Sequence, residues 1–204
     1  YELFGTDNYG YSGNKELNPE KSITNEIYGE FKLLKNLSYS VKAYNSQIYE
    51  HIEYLNNQYI NNSNQTSLNQ SGVENEIEFN RDGEKISLFA AFASSDKKDS
   101  SPQLRRPEKT YGLNYSKNIK NSLIGNFKAL INYKHYGKHF DTHSTNFSTI
   151  EMGSTDLLDI SLTKKIGQLE YFTKISNLLD ESYERPHGYS QDGTGLRFGI
   201  KTYY

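Results

Sequence analysis

The chain has 204 residues, a formal net charge of -2 and a mean hydropathy of -0.83. The near-neutral charge gives no indication of nucleic-acid binding, and the absence of Cys excludes disulfide frameworks, thiolate metal sites and cysteine nucleophiles. No run approaches the roughly 20 consecutive apolar residues of a membrane-spanning helix. Composition leaves two classes open: a soluble β-rich protein, and a transmembrane β-barrel whose strands are apolar only at alternate positions.

Alternation of apolar and polar residues predicts nine strands. In chain order they cover about 22–34, 37–50, 68–80, 85–95, 110–117, 123–136, 155–164, 169–178 and 195–204. Four tight turns are predicted at 35–36, 80–83, 118–121 and 165–168, and Asp82-Gly83 within them is a strong hairpin signal. The remaining connections are long and polar: 51–67, 94–109, 137–154 and 179–193.

The connections therefore alternate between about four and about fifteen residues, a pattern that outer-membrane barrels share and a soluble meander does not need. In such barrels the short turns are periplasmic and the long loops extracellular. The sequence thus predicts an all-β chain of about nine antiparallel strands, part of a transmembrane up-and-down barrel. Because Tyr204 would end a strand that descends to the periplasm, we expect the long loops outside the cell.

The predicted strands have unlike faces. The apolar side of the last strand holds Leu196, Phe198, Ile200 and Tyr204, and its other side holds Arg197 and Lys201. In the third strand, Glu74, Glu76 and Glu78 lie opposite Val73, Ile77 and Phe79. The apolar face would meet lipid in a barrel and form the core in a soluble sandwich, so alternation alone leaves both interpretations open. Loop asymmetry and the aromatic Tyr204, typical of an interfacial girdle, favour the membrane.

Four motifs, in the same order along the chain, resemble TonB-dependent outer-membrane receptors. They are Gly13-Asn14-Lys15-Glu16-Leu17-Asn18-Pro19-Glu20-Lys21-Ser22, Gly72-Val73-Glu74, Pro102-Gln103-Leu104-Arg105-Arg106-Pro107 and Asn177-Leu178-Leu179-Asp180-Glu181-Ser182-Tyr183-Glu184. The loop spacing is most similar to the branch of cobalamin and catecholate-siderophore receptors.

The resemblance implies a 22-strand barrel with an N-terminal plug and TonB box. With nine strands, residues 1–204 would be its C-terminal portion, and we expect the plug and about thirteen earlier strands upstream. The implied partners are an extracellular nutrient chelate, the receptor's own plug, TonB through that plug, outer-membrane lipid and the barrel assembly machinery. The implied location is the outer membrane of a Gram-negative bacterium.

The candidate ligand-binding residues lie in two long loops: Arg105, Arg106, Tyr183, Arg185, His187 and Tyr189. An Arg pair can bind an anion, but a single pair is a weak charged patch, and the favoured interpretation is that it anchors a loop on neighbouring strands. The rings and donors of the last loop fit a ligand-gathering surface or an interfacial girdle.

Two other groups of residues are not predicted to form a metal site or a catalytic site. The histidines His135, His139 and His143 are spaced by four residues, which on a helix would place their side chains on one face. This segment is instead predicted to be the end of a strand and the start of a loop, where the side chains do not converge, so no metal site is predicted. The row of Glu side chains in the third strand lacks an apolar pocket that would raise a carboxyl pKa, and a wet wall facing the plug is expected.

Two functions from different classes follow. The leading one is a receptor barrel for TonB-energised uptake of a scarce nutrient chelate, of the cobalamin or iron–siderophore class, with no enzymatic activity and no cofactor. The alternative is a soluble or surface-attached β-rich binding module, such as an adhesin or a lectin-like sandwich.

Overall fold

A computed structural model describes residues 3–5, 13–55, 58–61, 68–97, 102–121, 123 and 125–203. Nine strands form one antiparallel sheet, in the order β1 (Lys21–Leu34), β2 (Leu37–Tyr49), β5 (Leu68–Arg81), β6 (Glu84–Lys97), β7 (Lys109–Ile119), β8 (Phe127–Tyr136), β11 (Thr155–Ile166), β12 (Leu169–Ser176) and β13 (Gly195–Thr202). Two hairpins stand apart: β3 (Ile52–Leu55) with β4 (Gln58–Asn61), and β9 (His139–Thr142) with β10 (Thr149–Met152). None of the described segments is a helix long and apolar enough to cross a membrane.

The nine predicted strands and the alternation of short and long connections are confirmed. Three tight turns have two residues each, at Lys35-Asn36, Asp82-Gly83 and Gly167-Gln168. Both Asp82 (φ 51°) and Gly83 (φ 79°) adopt left-handed conformations, as the twist of a two-residue hairpin requires.

Three details differ from the sequence predictions. The sixth strand begins at Phe127 rather than near 123, because the side chain of Asn121 accepts a hydrogen bond from the Leu123 N–H (2.8 Å) and turns the chain there. The long segments 51–67 and 137–154 were predicted as loops, but each contains a hairpin, β3–β4 and β9–β10. Two of the four residues in each of these short strands are β-branched or aromatic, which favours strands within segments that are otherwise polar. Tyr204 lies outside the described residues.

The chain divides into two compact units. The first contains Tyr1–Ile27, Ala43–Gly72 and Ala93–Gln103. In it, the motif at residues 13–22 packs on the β3–β4 hairpin: the Asn14 side chain donates to the Tyr59 carbonyl (3.0 Å), and the Asn61 side chain donates to the Asn18 carbonyl (2.9 Å). Glu20 accepts hydrogen bonds from the Ile52 N–H (2.8 Å) and pairs with the His51 ring (2.6 Å). This motif therefore anchors a loop hairpin next to the start of β1.

The second unit contains Tyr28–Lys42, Val73–Phe92 and Leu104–Tyr204. Strand register aligns the apolar positions of β6, β7, β8, β11, β12 and β13 into one continuous face. One row across that face pairs Leu88 with Leu113 and then Tyr133, while a neighbouring row pairs Ile160 with Ile131 and Ile175. The rows extend the two-faced pattern of single strands to the whole sheet.

The opposite face of this sheet is polar and linked across strands. Ion pairs join Lys85 to Glu78 (2.6 Å) and Lys174 to Asp159 (2.7 Å), and Ser87 hydrogen-bonds to Glu76. Two of the three Glu residues predicted to face a wet lumen therefore have partners on a neighbouring strand.

Hydrophobic burial separates a membrane barrel from a soluble sandwich here. Among the described residues, Leu68 is the one large hydrophobic side chain that is buried, at 1% exposure. The large apolar side chains of the sheet are instead exposed, up to 84% for Phe198. A soluble sandwich buries one apolar face against a second sheet. The structure shows the opposite distribution, which is that of a sheet whose apolar face meets lipid.

Candidate ligand-facing loop site

The long connections of the second unit meet around a buried carboxylate, Asp141 in β9. Its Oδ1 accepts hydrogen bonds from Arg105 Nε (2.8 Å) and the Thr142 N–H (2.7 Å), and its Oδ2 accepts one from the His187 N–H (2.8 Å). The side chain of Asp141 is fully buried, whereas the Arg105 side chain is 60% exposed. We call the group formed by Arg105, Asp141, His143 and His187 the loop junction.

The electrostatics of Asp141 favour its ionised form. Burial by itself raises the pKa of Asp141, but the hydrogen bonds from Arg105 and from the N–H groups of His187 and Thr142 outweigh it. The pKa of Asp141 is therefore below its usual value, and the carboxylate is charged at neutral pH. A buried charge is tolerated only with such partners.

Backbone contacts complete the junction. Arg105 has a left-handed conformation (φ 63°), and its N–H donates to the Phe140 carbonyl (2.6 Å). The rings of His143 and His187 lie 4.6 Å apart, and His187 Nδ1 accepts a hydrogen bond from the Ser144 N–H (3.0 Å). Three loops, at 104–105, 139–144 and 184–191, are thus joined at one place.

A second cluster lies beside the junction. The Arg185 guanidinium stacks over the Tyr136 ring at 4.3 Å, a cation–π contact. His139 is buried, and its Nδ1 has no hydrogen-bond partner. Burial and then the charge of Arg185 lower the pKa of His139, against the opposing effects of the Gly137 carbonyl and Asp141. His139 is therefore neutral at pH 7.

The predicted site residues divide into three groups. Arg105 and His187 are brought together by the carboxylate of Asp141, which matches the loop-anchor interpretation for Arg105. Arg185 and Tyr183 hold the fold of the last loop, where the Arg185 N–H donates to the Tyr189 carbonyl (3.0 Å) and the Tyr183 carbonyl accepts from the Gln191 N–H (2.9 Å). Arg106 is exposed, and Tyr189 presents its ring to solvent at 65% exposure.

The three histidines spaced by four residues do not converge. His135 pairs with Asp156 (2.8 Å) and stacks on Tyr111, whereas His143 contacts His187. Within the described part of the chain, no three His, Cys, Asp or Glu side chains cluster so as to hold a metal ion.

Two buried polar residues that hold the loops, Asp141 and Asn177, are not among the predicted site residues. Asp141 is not among the predicted candidates, because its burial cannot be read from the pattern. Asn177, which opens the motif at 177–184, is buried at 6% exposure. Its side chain donates to the carbonyls of Glu181 (2.9 Å) and Asp192 (3.2 Å) and accepts from the Glu181 N–H (3.0 Å). The motif was the available signal, and the structure shows that it fixes the start and end of the last loop.

Solved structures share the fold of this chain, although no protein-family model matches it. The pyoverdine outer-membrane receptor FpvA of Pseudomonas aeruginosa, bound to pyoverdine, has a TM-score of 0.73 and 17% identity over 94% of this chain and 31% of its own. The iron transporter FrpB of Neisseria meningitidis has a TM-score of 0.69 and 11% identity, over 93% and 32%. The ferric yersiniabactin uptake receptor FyuA of Yersinia pestis has a TM-score of 0.65 and 17% identity, over 89% and 28%.

The chain therefore has the fold of a transmembrane β-barrel portion, as the sequence predicted. More narrowly, the barrels that it resembles are those of TonB-dependent outer-membrane receptors. The chain spans about a third of the length of these structures. Their names describe receptors and transporters.

Proposed function

We propose that this chain is the C-terminal portion of the barrel of a TonB-dependent outer-membrane receptor, which takes up an iron–siderophore chelate. The observation that carries the proposal is the inverted burial of the sheet, which exposes its aligned apolar face and links its polar face with ion pairs. FpvA is bound to pyoverdine and FyuA is a ferric yersiniabactin receptor, which favours the iron class over cobalamin. In this proposal the plug and TonB act outside the described sheet, and the long loops face the medium.

The ligand-gathering surface in this proposal is built on the last loop. The Arg185 side chain, the exposed Tyr189 ring and the exposed Arg106 offer cationic and aromatic groups to an anionic, ring-bearing chelate. Arg105 and His187 contribute to this surface by holding its loops in place.

Uptake by the intact receptor tests the proposal. Deleting the gene that encodes this chain should abolish energised uptake of ⁵⁵Fe added to supernatant from an iron-starved culture, and a protonophore should do the same to the parent strain. Uptake of ⁵⁷Co-cobalamin should be unaffected. Loss of cobalamin uptake alone would assign the other nutrient class, and unchanged uptake of both would contradict the receptor function.

Topology gives an independent test against the soluble alternative. Epitope tags placed within 51–67 or 137–154 should bind antibody on intact cells, and a tag at Asp82-Gly83 should bind only after the outer membrane is opened. The protein should require detergent for extraction. Recovery in the soluble fraction, or the reverse tag pattern, would favour a soluble binding module.

A further inference from the structure

The carboxylate of Asp141 stands out because none of the nutrient-binding candidates includes it, yet it joins the loops that carry them. Polar groups on three separate stretches of chain converge on its two oxygens, and its side chain has no exposed surface. Hydrogen bonds to an ionised acceptor are about twice as strong as those between neutral groups. A carboxylate in this position is therefore suited to holding loops in a fixed arrangement.

The contacts run into the loop that bears the exposed candidates. The His187 N–H on Asp141 lies two residues from Tyr189 and two from Arg185. The turn between Arg185 and Tyr189 is closed by two backbone hydrogen bonds of 3.0 Å, Arg185 N–H to Tyr189 carbonyl and Tyr189 N–H to Pro186 carbonyl. A shift of the His187 backbone would therefore also move the side chains of Arg185 and Tyr189.

The opposing hairpin is held against the same turn. A Cβ at Gly188 would lie 2.7 Å from the Ser144 side chain, so the two loops are in close contact there. The tip of this hairpin presents Phe147, which is 79% exposed and has a left-handed backbone (φ 59°), unusual for a bulky residue. The junction thus fixes two loops, each of which exposes an aromatic ring.

We propose that Asp141 is a positioning residue that holds the 184–191 turn and the β9–β10 hairpin together as one ligand-facing surface, acting through Arg105 and the His187 backbone. The role rests on the proposed receptor function. Asp141 does not touch the ligand, because its side chain is buried; it sets the positions of the Tyr189 and Phe147 rings. This preorganisation avoids ordering two loops at the moment of binding.

Asp141→Asn is the central variant because it keeps the shape of the side chain. The amide retains one acceptor oxygen, so an NH₂ group must face either the His187 N–H or the Arg105 and Thr142 donors. Because the NH₂ group and the facing N–H are both donors, the hydrogen bonds on that side of the junction are lost. Glu151→Gln is the matched control, since it makes the same chemical change on the same hairpin in the exposed Lys138–Glu151 ion pair (2.7 Å). Asp141→Glu keeps the charge and serves as the rescue variant.

The experiment uses the full-length receptor in outer-membrane vesicles. Spin labels on Cys introduced at the exposed positions Thr145 and Ser182 report the distance between the hairpin and the last loop. Binding of ⁵⁵Fe chelates from iron-starved supernatant, and heat-modifiable gel mobility, are measured on the same variants without labels.

We expect Asp141→Asn to broaden the distance distribution and to weaken chelate binding by about tenfold, with unchanged barrel mobility on the gel. Arg105→Ala should do the same, and the double variant should add little to either single one, because both remove one junction. Asp141→Glu should recover part of the binding, and Glu151→Gln should match the parent.

The other outcomes distinguish failure of the positioning role from failure of the receptor function. A broadened distribution with normal binding, or an unchanged distribution, overturns the positioning role while leaving the receptor function intact. Additive effects of Asp141→Asn and Arg105→Ala would also overturn it. If the parent receptor binds no labelled chelate, the receptor function fails together with this inference, whatever the variants do.

Discussion

The sheet and the loop junction both depart from the arrangement of a soluble protein, but with different groups. The sheet exposes its large hydrophobic side chains, such as Phe198 and Ile200, whereas the loops bury polar ones, namely Asp141, His139 and Asn177. A protein surrounded by water would gain from the reverse arrangement of the sheet. The sheet has the distribution expected of strands in lipid, whereas hydrogen bonds to buried polar groups such as Asp141 and Asn177 hold the loops.

The largest expected effect tests the solvent of the apolar face. Phe198→Arg should destabilise the folded barrel by about 2–4 kcal/mol if the position lies near the bilayer midplane, and by less towards the interface. Arg197→Ala, on the polar face of the same strand, is the control and should cost little. The measurement is the heat-modifiable gel mobility of the full-length receptor in outer-membrane fractions. Tolerance of Arg at 198 together with loss of assembly for Ala at 197 would reverse the two faces.

A somewhat smaller effect tests how the loops are held. Asn177→Ala should cost about 1–3 kcal/mol of local stability, because it leaves the Glu181 N–H and two carbonyls without their partner. Hydrogen exchange of residues 177–194 is the readout, and Asn146→Ala, in an exposed turn, is the matched control. Equal protection in the variant and the parent would show that the last loop does not depend on this buried amide.

The polar face offers a comparable test of packing. At Gly112 an added Cβ would meet the Tyr133 carbonyl oxygen and lie 2.6 Å from the Phe89 ring, so Gly112→Ala should destabilise the barrel by about 1–3 kcal/mol. Gly153 has no atom within 4 Å of its added Cβ, and Gly153→Ala is the control. Urea unfolding in lipid vesicles, followed by gel mobility, measures the change. Equal stability of the two variants would contradict the close approach.

Gly199 provides a second test of close packing on the polar face. The three atoms nearest to its added Cβ all belong to the Phe172 ring, the first at 2.6 Å. Phe172→Leu should therefore relieve Gly199→Ala, whereas Phe89→Leu should relieve Gly112→Ala only in part, because the backbone oxygen remains.

The smallest expected effect concerns pH. The pKa of His139 is lowered in the folded loops, so its contribution to their stability is complete above its usual value of about 6.5 and is lost as pH falls towards the folded pKa. Asp141 does not contribute in this range, because its depressed pKa keeps it ionised well below pH 5. Hydrogen exchange of 139–152 should therefore speed up between pH 7 and 5, after correction for intrinsic rates. His139→Gln should reduce that change; an equal change in the variant would exclude His139 as its source.

Much of the sheet could be predicted because its information is local. Alternation in β2, β5 and β13 and the Asp82-Gly83 turn specify strands and hairpins by themselves. The β3–β4 and β9–β10 hairpins were missed because four-residue strands carry too little alternation to stand out from polar loops. The candidate site was found only as a set of residue types in two loops, since the partner that organises them, Asp141, lies in a third.

The strand order, the two unlike faces and the alternation of turns and loops follow from the amino-acid sequence, because each depends on residues that are neighbours along the chain. The exposure of the apolar face and the burial of particular polar groups depend on the folded structure. The apolar face of a soluble sandwich and that of a membrane barrel have the same pattern in sequence, and the two differ in the exposure of side chains such as Phe198, which is 84% exposed among the described residues. Likewise, Asp141 becomes a buried, ionised anchor only when Arg105 and the His187 backbone, 36 and 46 residues away, reach it in the folded chain.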